Sequence, residues 1–497
     1  MRLVDVYDGD FVSAMNATTF GEREILGVTC DSRSVRPGYL FAAIPGFQTD
    51  GRAFIPDALD RGAVAILAPP DTALDPGIQD IPLIVDENPR RQYALMAARF
   101  FVDQPKTIAC VTGTNGKTSV ATFLRQLWAG MELPCASAGT LGVELGGFSA
   151  ENTPQLRHKI NLTTPDPADL HACLSELAGH GVDHFAMEAS SHGLSQFRLD
   201  GVHVAAAAFT NLTRDHLDYH GGMDGYLSAK QRLFTDIVVD GGTAVINADA
   251  AYAEAFQSVA QARGLRVLSF GSGGVDLGLR GLTPDGMGQI LDLEVLGKPC
   301  QVRLPLPGAF QASNALAAAG LALALEADPE IIIAGLERLN GAPGRVQFVG
   351  SHASGAAIYV DYAHTPDALG SVLRTIRPHT AGRLHVVFGC GGDRDSGKRP
   401  EMGAAAAATA DVVVVTDDNP RTEDPGDIRA QTMAGCPDAM EIADRGAAIA
   451  TAMSELNAGD ILVIAGKGHE TGQIVGDETL PFNDAEVVRA ELGEAPQ

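Results

Sequence analysis

The stretch KTIACVTGTNGKTSVATFL (106–124) constrains the chain more than any other. An uninterrupted apolar run enters a glycine turn, and an apolar-periodic helix opens at Lys117. A strand that is apolar on both faces and feeds a helix through a short turn belongs to a parallel sheet covered on both sides. The last third repeats the pattern: RLHVVFG, DVVVVTD, AMEIAD and DILVIAG read as strands separated by Ala-rich or polar helices. The fold class is therefore α/β.

The 497 residues exceed one ordinary domain, at about 100–200 residues each. Three blocks are predicted. Residues 1–105 alternate short apolar runs with helices and form a smaller α/β domain. Residues 106–338 form a central P-loop domain with a mostly parallel sheet. The Gly/Pro hinge LNGAPGR opens 339–497, a Rossmann-like α/β domain. Ligands of such sheets sit at the carboxyl ends of the strands. The segments GCGGDRD, DDNPR and GKGHE all follow apolar runs directly, so one crevice is expected to collect them.

Composition excludes several classes. Seven cysteines, scattered and without C-x-x-C, argue for reduced thiols rather than a disulfide scaffold or zinc site. A formal charge of −26 disfavours nucleic-acid binding. The start, MRLVDVYDGDFV, lacks a signal-peptide pattern, and no apolar run is long enough to span a membrane. A cytoplasmic monomer acting on small molecules is expected.

TGTNGKTS places backbone amides around a phosphate through Gly113, Thr114, Asn115 and Gly116. Lys117 adds a point charge, and the hydroxyls of Thr118 and Ser119 follow in the first helical turn. The strict P-loop pattern fails, because Val111 stands where its first glycine belongs. With AMEASSHGLSQFRL, FTNLTRDHLDYHG, YLSAKQRLF, PGAFQASNALAA, APGRVQ, VDYAHTPDAL and FGCGGDRDSGKRP, this loop resembles the Mur ligase family over nearly the whole chain.

The resemblance implies ATP-dependent joining of a carboxylate to an amine through an acyl phosphate, with Mg²⁺. Lys117, Glu188, His216 and Lys230 become the implied catalytic set. Thr118, Glu188, His216 and a carbamylated Lys230 are the implied metal ligands. Read alone, Lys230 is an ordinary helix lysine. His216 and His220 lie four apart, but Leu217 breaks the zincin pattern. Asn314, Arg345 and Asp361 match the family's nucleotide contacts, and Arg345 suits a charge brought in on domain closure. His364 and Arg394 bracket the same crevice.

Ser32, Gln48 and Thr49 are expected to hold the nucleotide-sugar end of UDP-MurNAc-dipeptide. Thr163, Thr164, Ser190, Gln196 and Arg198 are expected at its peptide end. TTPDPADL also reads as a helix cap with a first-turn proline.

DDNPRTEDP sets Arg421 among four acids. On its own it reads as a solvated turn with a surface ion pair, or as a pocket for a ligand carrying both charges. The resemblance favours the pocket. Asp418, Asn419, Pro420 and Arg421 match the signature of enzymes selecting meso-diaminopimelate, with Arg394, Gly466 and Glu470 at the same amino-acid head. Arg421 would grip the carboxylate, and nearby acids would accept the ammonium. The lysine-adding or D-alanyl-D-alanine-adding ligases, folylpolyglutamate synthases and a non-catalytic nucleotide-binding protein are the alternatives.

Overall fold

The structure, a computed structural model, describes all residues except 8–20, 47–48, 76–79, 159, 161 and 494–497. Gln48 therefore lies outside the described residues. The chain forms two compact units, Met1–Ser269 with Gly320–Ala327, and Phe270–Ala319 with Asp328–Gln497.

The first unit opens with a parallel sheet in the order β1 (Gly27–Thr29), β2 (Tyr39–Ala42), β3 (Ala63–Ala68) and β4 (Leu83–Val85). Alternate residues face opposite layers, as strand geometry requires. Leu40, Ala65, Leu67 and Ile84 pack on Tyr93, Met96 and Ala97 of the helix Pro89–Phe101. Phe41, Ile66 and Ala68 pack on Ile55 and Ala58 of the helix Ile55–Asp60.

The same unit continues through β5 (Thr107–Thr112), β6 (Cys135–Gly139), β7 (Gly142–Gly146), β8 (His184–Glu188), β9 (Val204–Phe209) and β10 (Val238–Asn247). Their order is β10-β9-β5-β8-β6-β7. All pairings are parallel except that of the edge strand β7. β5 is central and buried from Ile108 onward, which is why its sequence shows no polar alternation.

In the second unit, β12 (Leu277–Asp285), β13 (Gly288–Val295) and β14 (Lys298–Leu304) form an antiparallel meander. β11 (Arg266–Gly271) leads into it. A second sheet follows in the order β15 (Gln347–Ser351), β16 (Ala357–Asp361), β20 (Ile461–Ala465), β17 (Leu384–Phe388), β18 (Val412–Val415) and β19 (Met440–Glu441). Only β15 runs antiparallel.

Tyr359, Val386, Phe388 and Val463 face one helical layer, and Ile358, Val387, Leu462 and Ile464 face the other. The chain steps outward from β16 to β19, skipping one place, and returns to insert β20 between β16 and β17. That reversal opens a crevice at the carboxyl ends of the strands.

The predicted strand AMEIAD shrinks to Met440–Glu441. It is a partly exposed sheet edge, and Asp444 already caps the next helix by accepting Ala447 N–H. Among the described residues no helix is long and apolar enough to cross a membrane.

Candidate active site

In the first unit, β5 delivers the chain to Gly113 and the helix Lys117–Gly130 carries it away. A Cβ at Gly113 would stand 1.9 Å from Thr210 Oγ1, so a side chain at that position collides with the end of β9. Thr210 Oγ1 donates to Asn115 O at 2.6 Å, and Asn211 Oδ1 accepts Asn115 N–H at 3.0 Å. Thr114 Oγ1 lies 3.1 Å from Tyr226 OH. The loop is thus held by the segment after β9. Gly116 opens the helix in the left-handed region, φ 91°, with Thr118 and Ser119 buried in its first turn.

Two lysines converge on this loop. Lys117 Nζ donates to Gly113 O and Thr114 O, each at 2.9 Å. Lys230 Nζ, on the helix Met223–Arg232, donates to the same Gly113 O at 2.7 Å and is 1% exposed. Burial, reinforced by the charge of Lys117, holds the Lys230 amine well below the ordinary lysine range. A buried side chain 4.7 Å over the Tyr226 ring is not the solvated helix cation that sequence alone suggested.

Glu188 ends β8 and is buried. Its Oε1 accepts Thr140 N–H at 2.8 Å, and its Oε2 accepts Thr140 Oγ1–H at 3.3 Å. Thr163 Oγ1 lies 3.2 Å from Thr140 Oγ1. Thr164 Oγ1 donates to Glu188 O and accepts Ser190 N–H, while Arg198 donates to Thr164 O at 2.7 Å and to Gln196 Oε1 at 2.8 Å. Five predicted substrate residues are therefore linked to Glu188 in one hydrogen-bond network, Thr164 directly and the other four through Thr140, Thr164 or Arg198. The cap of the helix Pro167–Gly179 is Asp166, not either threonine.

His216 is exposed, in the left-handed region at φ 51°, just before the short helix Leu217–His220. Its ring meets His192 at 4.7 Å between centroids. His220 meets the same His192 ring at 5.5 Å, and its backbone N–H donates to His216 O at 3.1 Å. Among the described residues no three His, Cys, Asp or Glu side chains cluster as a metal site. The imidazole of His216 is a softer donor, whereas the hydroxyl of Thr118 and the carboxylate of Glu188 suit a hard cation such as Mg²⁺. The Lys230 amine fits beside one only after its charge is removed.

Ser32 is buried and hydrogen-bonded to Asp57. Thr49 is exposed and contributes its carbonyl to a turn with Gly46 N–H.

The second unit gathers its predicted residues at strand ends. Asp361 ends β16 and accepts Val346 N–H and Ala363 N–H, each at 2.7 Å. Burial raises its carboxyl above the usual range, against the pull of Arg345. Arg345 lies 4.8 Å over the Tyr362 ring, and its carbonyl accepts from Gln311, which in turn accepts from Asn314. His364 Nδ1 lies 2.8 Å from Tyr362 O.

After β17 and β18, the loops 389–395 and 416–424 meet closely. A Cβ at Gly392 would stand 1.9 Å from Pro420 O. Arg421 adopts φ 52° and its Nη1 donates to Gly392 O at 2.8 Å and to Asn419 O at 3.4 Å.

The four neighbouring acids are not its partners, which corrects the surface-ion-pair reading and leaves most of them no part in an ammonium site. Asp417 pairs with Arg429, Glu423 with Arg399 at 2.9 Å, and Asp424 caps the helix Pro425–Met433. Asp418 is buried 4.0 Å from Arg445, whose guanidinium is paired with Asp484. Burial again holds the Asp418 carboxyl above the ordinary range. Among the described residues no carboxylate pairs with Arg421. Gly466 faces Asp418, and Glu470 accepts from Asn419 at 2.9 Å. Arg394 is exposed and, among the described residues, reaches only Asp393 O, at 3.3 Å.

Sequence reasoning missed Thr140, Asn211, Tyr226 and Lys467, all polar residues hydrogen-bonded to members of the two sites. Asn211, Tyr226 and Lys467 lie within the motif segments, which was the only available signal, and Thr140 lies in none of them.

Three family models match in succession: the Mur ligase family catalytic domain over 24–110, the Mur ligase middle domain over 111–322, and the Mur ligase glutamate ligase domain over 344–468. The chain belongs to the Mur ligase family. It is 53% identical over 473 residues to a UDP-N-acetylmuramoyl-L-alanyl-D-glutamate–2,6-diaminopimelate ligase of Bradyrhizobium diazoefficiens, covering 94% of this chain and 95% of that one. A protein of the same description from Brucella melitensis is 50% identical, covering 95% of each. A solved structure carrying that description aligns over 99% of both chains, with 34% identity and a TM-score of 0.74.

Proposed function

We propose that the protein adds meso-2,6-diaminopimelate to UDP-N-acetylmuramoyl-L-alanyl-D-glutamate, consuming ATP and releasing ADP and phosphate. The observation that carries this reading is Arg421, whose guanidinium has carbonyl anchors on one nitrogen and no carboxylate partner among the described residues. An amino-acid head bearing both a carboxylate and an ammonium supplies what is lacking; L-lysine, with only an ammonium at that end, does not.

The glutamate carboxylate attacks the γ-phosphorus, the bond to the β-phosphate oxygen breaks, and ADP leaves. The diaminopimelate amine then attacks the acyl phosphate carbon, loses a proton, and the carbon–oxygen bond to phosphate breaks. Two anions must approach for the first step, so positive charge near the loop governs the rate. Lys117 supplies it from the loop itself.

Thr118, Glu188, His216 and Lys230 would hold magnesium, whose charge when bound offsets that of the phosphates. Lys230 joins this set as a carbamate, formed when its neutral amine adds CO₂ and releases a proton. Its depressed basicity and burial support that modification. Asn314, Arg345 and Asp361 are assigned to the nucleotide. Ser32, Gln48, Thr49, Thr163, Thr164, Ser190, Gln196 and Arg198 are assigned to the muramoyl-dipeptide. Arg421 takes the carboxylate and Glu470 the ammonium of diaminopimelate, with Arg394, Asp418, Asn419, Pro420 and Gly466 around them. The blocks 1–105, 106–338 and 339–497 act respectively on the nucleotide sugar, ATP and the amino acid, in a cytoplasmic monomer.

Phosphate release with the muramoyl-dipeptide, Mg²⁺ and bicarbonate, compared between meso-diaminopimelate and L-lysine, tests the reading. Turnover with diaminopimelate alone is expected. Turnover with lysine instead retains the ligase and discards the Arg421 argument.

A further inference from the structure

Lys467 has no part in the roles assigned above, yet it is fully buried directly after β20. Its Nζ donates to Asn419 Oδ1 and to Glu470 Oε2, each at 3.0 Å. Asn419 Nδ2 donates to the same Glu470 Oε2 at 2.9 Å, and Asn419 Oδ1 also accepts Ile474 N–H at 2.9 Å. Two donors thus hold one Glu470 oxygen. Among the described residues no hydrogen bond reaches the other, Oε1.

A hairpin of β21 (Gly472–Val475) and β22 (Glu478–Pro481) is fastened to the same loop. Arg421 N donates to Ile474 O at 3.1 Å, Gly476 N to Arg421 O at 2.7 Å, and Gln473 Nε2 to Asp418 O at 2.6 Å. β22 is wholly exposed, so these bonds rather than a core seat the hairpin. They also fix the left-handed backbone at Arg421, which aims its guanidinium past Gly392 O.

The bland reading makes Lys467 a satisfied core cation. A buried ammonium is unfavourable compared with an apolar side chain of the same volume, and its retention needs a specific geometry to explain it. Its acceptors are side chains on the two loops that present opposite charges to the amino acid, and they leave one Glu470 oxygen unengaged.

We infer that Lys467 is a positioning residue for substrate choice. Acting through Asn419, and together with the Gln473 hairpin, it holds Arg421 and Glu470 at one separation. The pair then engages a carboxylate and an ammonium borne on a single carbon, and a lone ammonium engages only half of it. This rests on the reading of the crevice as the amino-acid site.

The test is steady-state kinetics of the full chain with all three substrates varied in turn. Lys467→Met is expected to raise KM for diaminopimelate about tenfold to a hundredfold, the effect of losing a hydrogen bond to a charged group. KM for ATP and for the muramoyl-dipeptide should not move, and kcat should stay within about threefold. Gln473→Ala, a change outside any core, should raise the same KM by about threefold at unchanged Tm. An unchanged diaminopimelate KM in Lys467→Met, or a parallel rise in all three KM values, overturns the inference. If Lys467→Met does not fold, Gln473→Ala decides, and an unchanged diaminopimelate KM overturns it. A wild-type protein that turns over no diaminopimelate refutes the reading of the crevice as a diaminopimelate site instead.

Discussion

Arg421→Lys and Arg421→Ala probe the substrate end of the second unit most directly. Nη1 of Arg421 is occupied by Gly392 O at 2.8 Å and Asn419 O at 3.4 Å. Nε and Nη2 have no partner among the described residues, so two N–H groups of the fork remain to meet a carboxylate side by side. Truncation leaves the substrate's carboxylate unpaired at a half-buried position. Buried charge pairs lose about 2–5 kcal/mol in such experiments, and half-burial places this one at the lower end, about 2–3 kcal/mol. That corresponds to about 30-fold to 150-fold in KM for diaminopimelate with Arg421→Ala. Arg421→Lys keeps the charge and loses the fork, and about 1 kcal/mol, or fivefold, is expected. The φ of 52° is equally strained for arginine and lysine, so the backbone term cancels in that comparison. The assay is phosphate release with diaminopimelate, ATP and the muramoyl-dipeptide varied in turn. A rise in KM confined to diaminopimelate supports the fork; an equal rise for all three substrates, or no rise, refutes it.

Three further perturbations address the first unit. Gly113→Ala places a Cβ 1.9 Å from Thr210 Oγ1; overpacking of this kind costs about 1–3 kcal/mol, and calorimetric titration with ADP should show weakened binding. Isotope-labelled bicarbonate should give a carbamate carbonyl resonance that is absent from Lys230→Ala, whose kcat should fall by about a hundredfold or more; retention of the resonance in that variant would place the carbamate elsewhere. Burial depresses the His171 imidazole from 6.5 to about 4, despite its hydrogen bond with Asp200 O. The unfolded chain then binds the proton first as pH falls, so stability is complete above about pH 6.5 and is lost toward about pH 4. Between about pH 7 and about pH 5, wild type should lose about 2 kcal/mol more than His171→Gln, read by fluorescence of Trp128, the single tryptophan. Equal slopes would remove His171 from the account.

How much could be read in advance depended on the range of the interactions. β5 and its glycine turn were legible because a buried parallel strand writes itself as an apolar run and the turn follows it directly in sequence; the collision with Thr210 that Gly113 avoids was not. AMEIAD misled because the same apolar run also serves an edge that pairs for only two residues before a helix cap. The burial of Lys230 was not legible at all: its acceptor, Gly113 O, lies 117 residues away, and nothing in a helical lysine announces that.

DDNPRTEDP was half legible. The segment contains the right residues, but Asp417, Glu423 and Asp424 go to Arg429, to Arg399 and to a helix end. Lys467 fills one oxygen of Glu470 and, with Ile474 N–H, the oxygen of Asn419, from a loop 48 residues beyond Asn419. A motif thus names the groups that meet, and the fold decides which of them are already satisfied. Asn419, whose amide holds three protein hydrogen bonds, belongs to the frame; Arg421 and Oε1 of Glu470, left with capacity, are where a zwitterionic head gains most by binding.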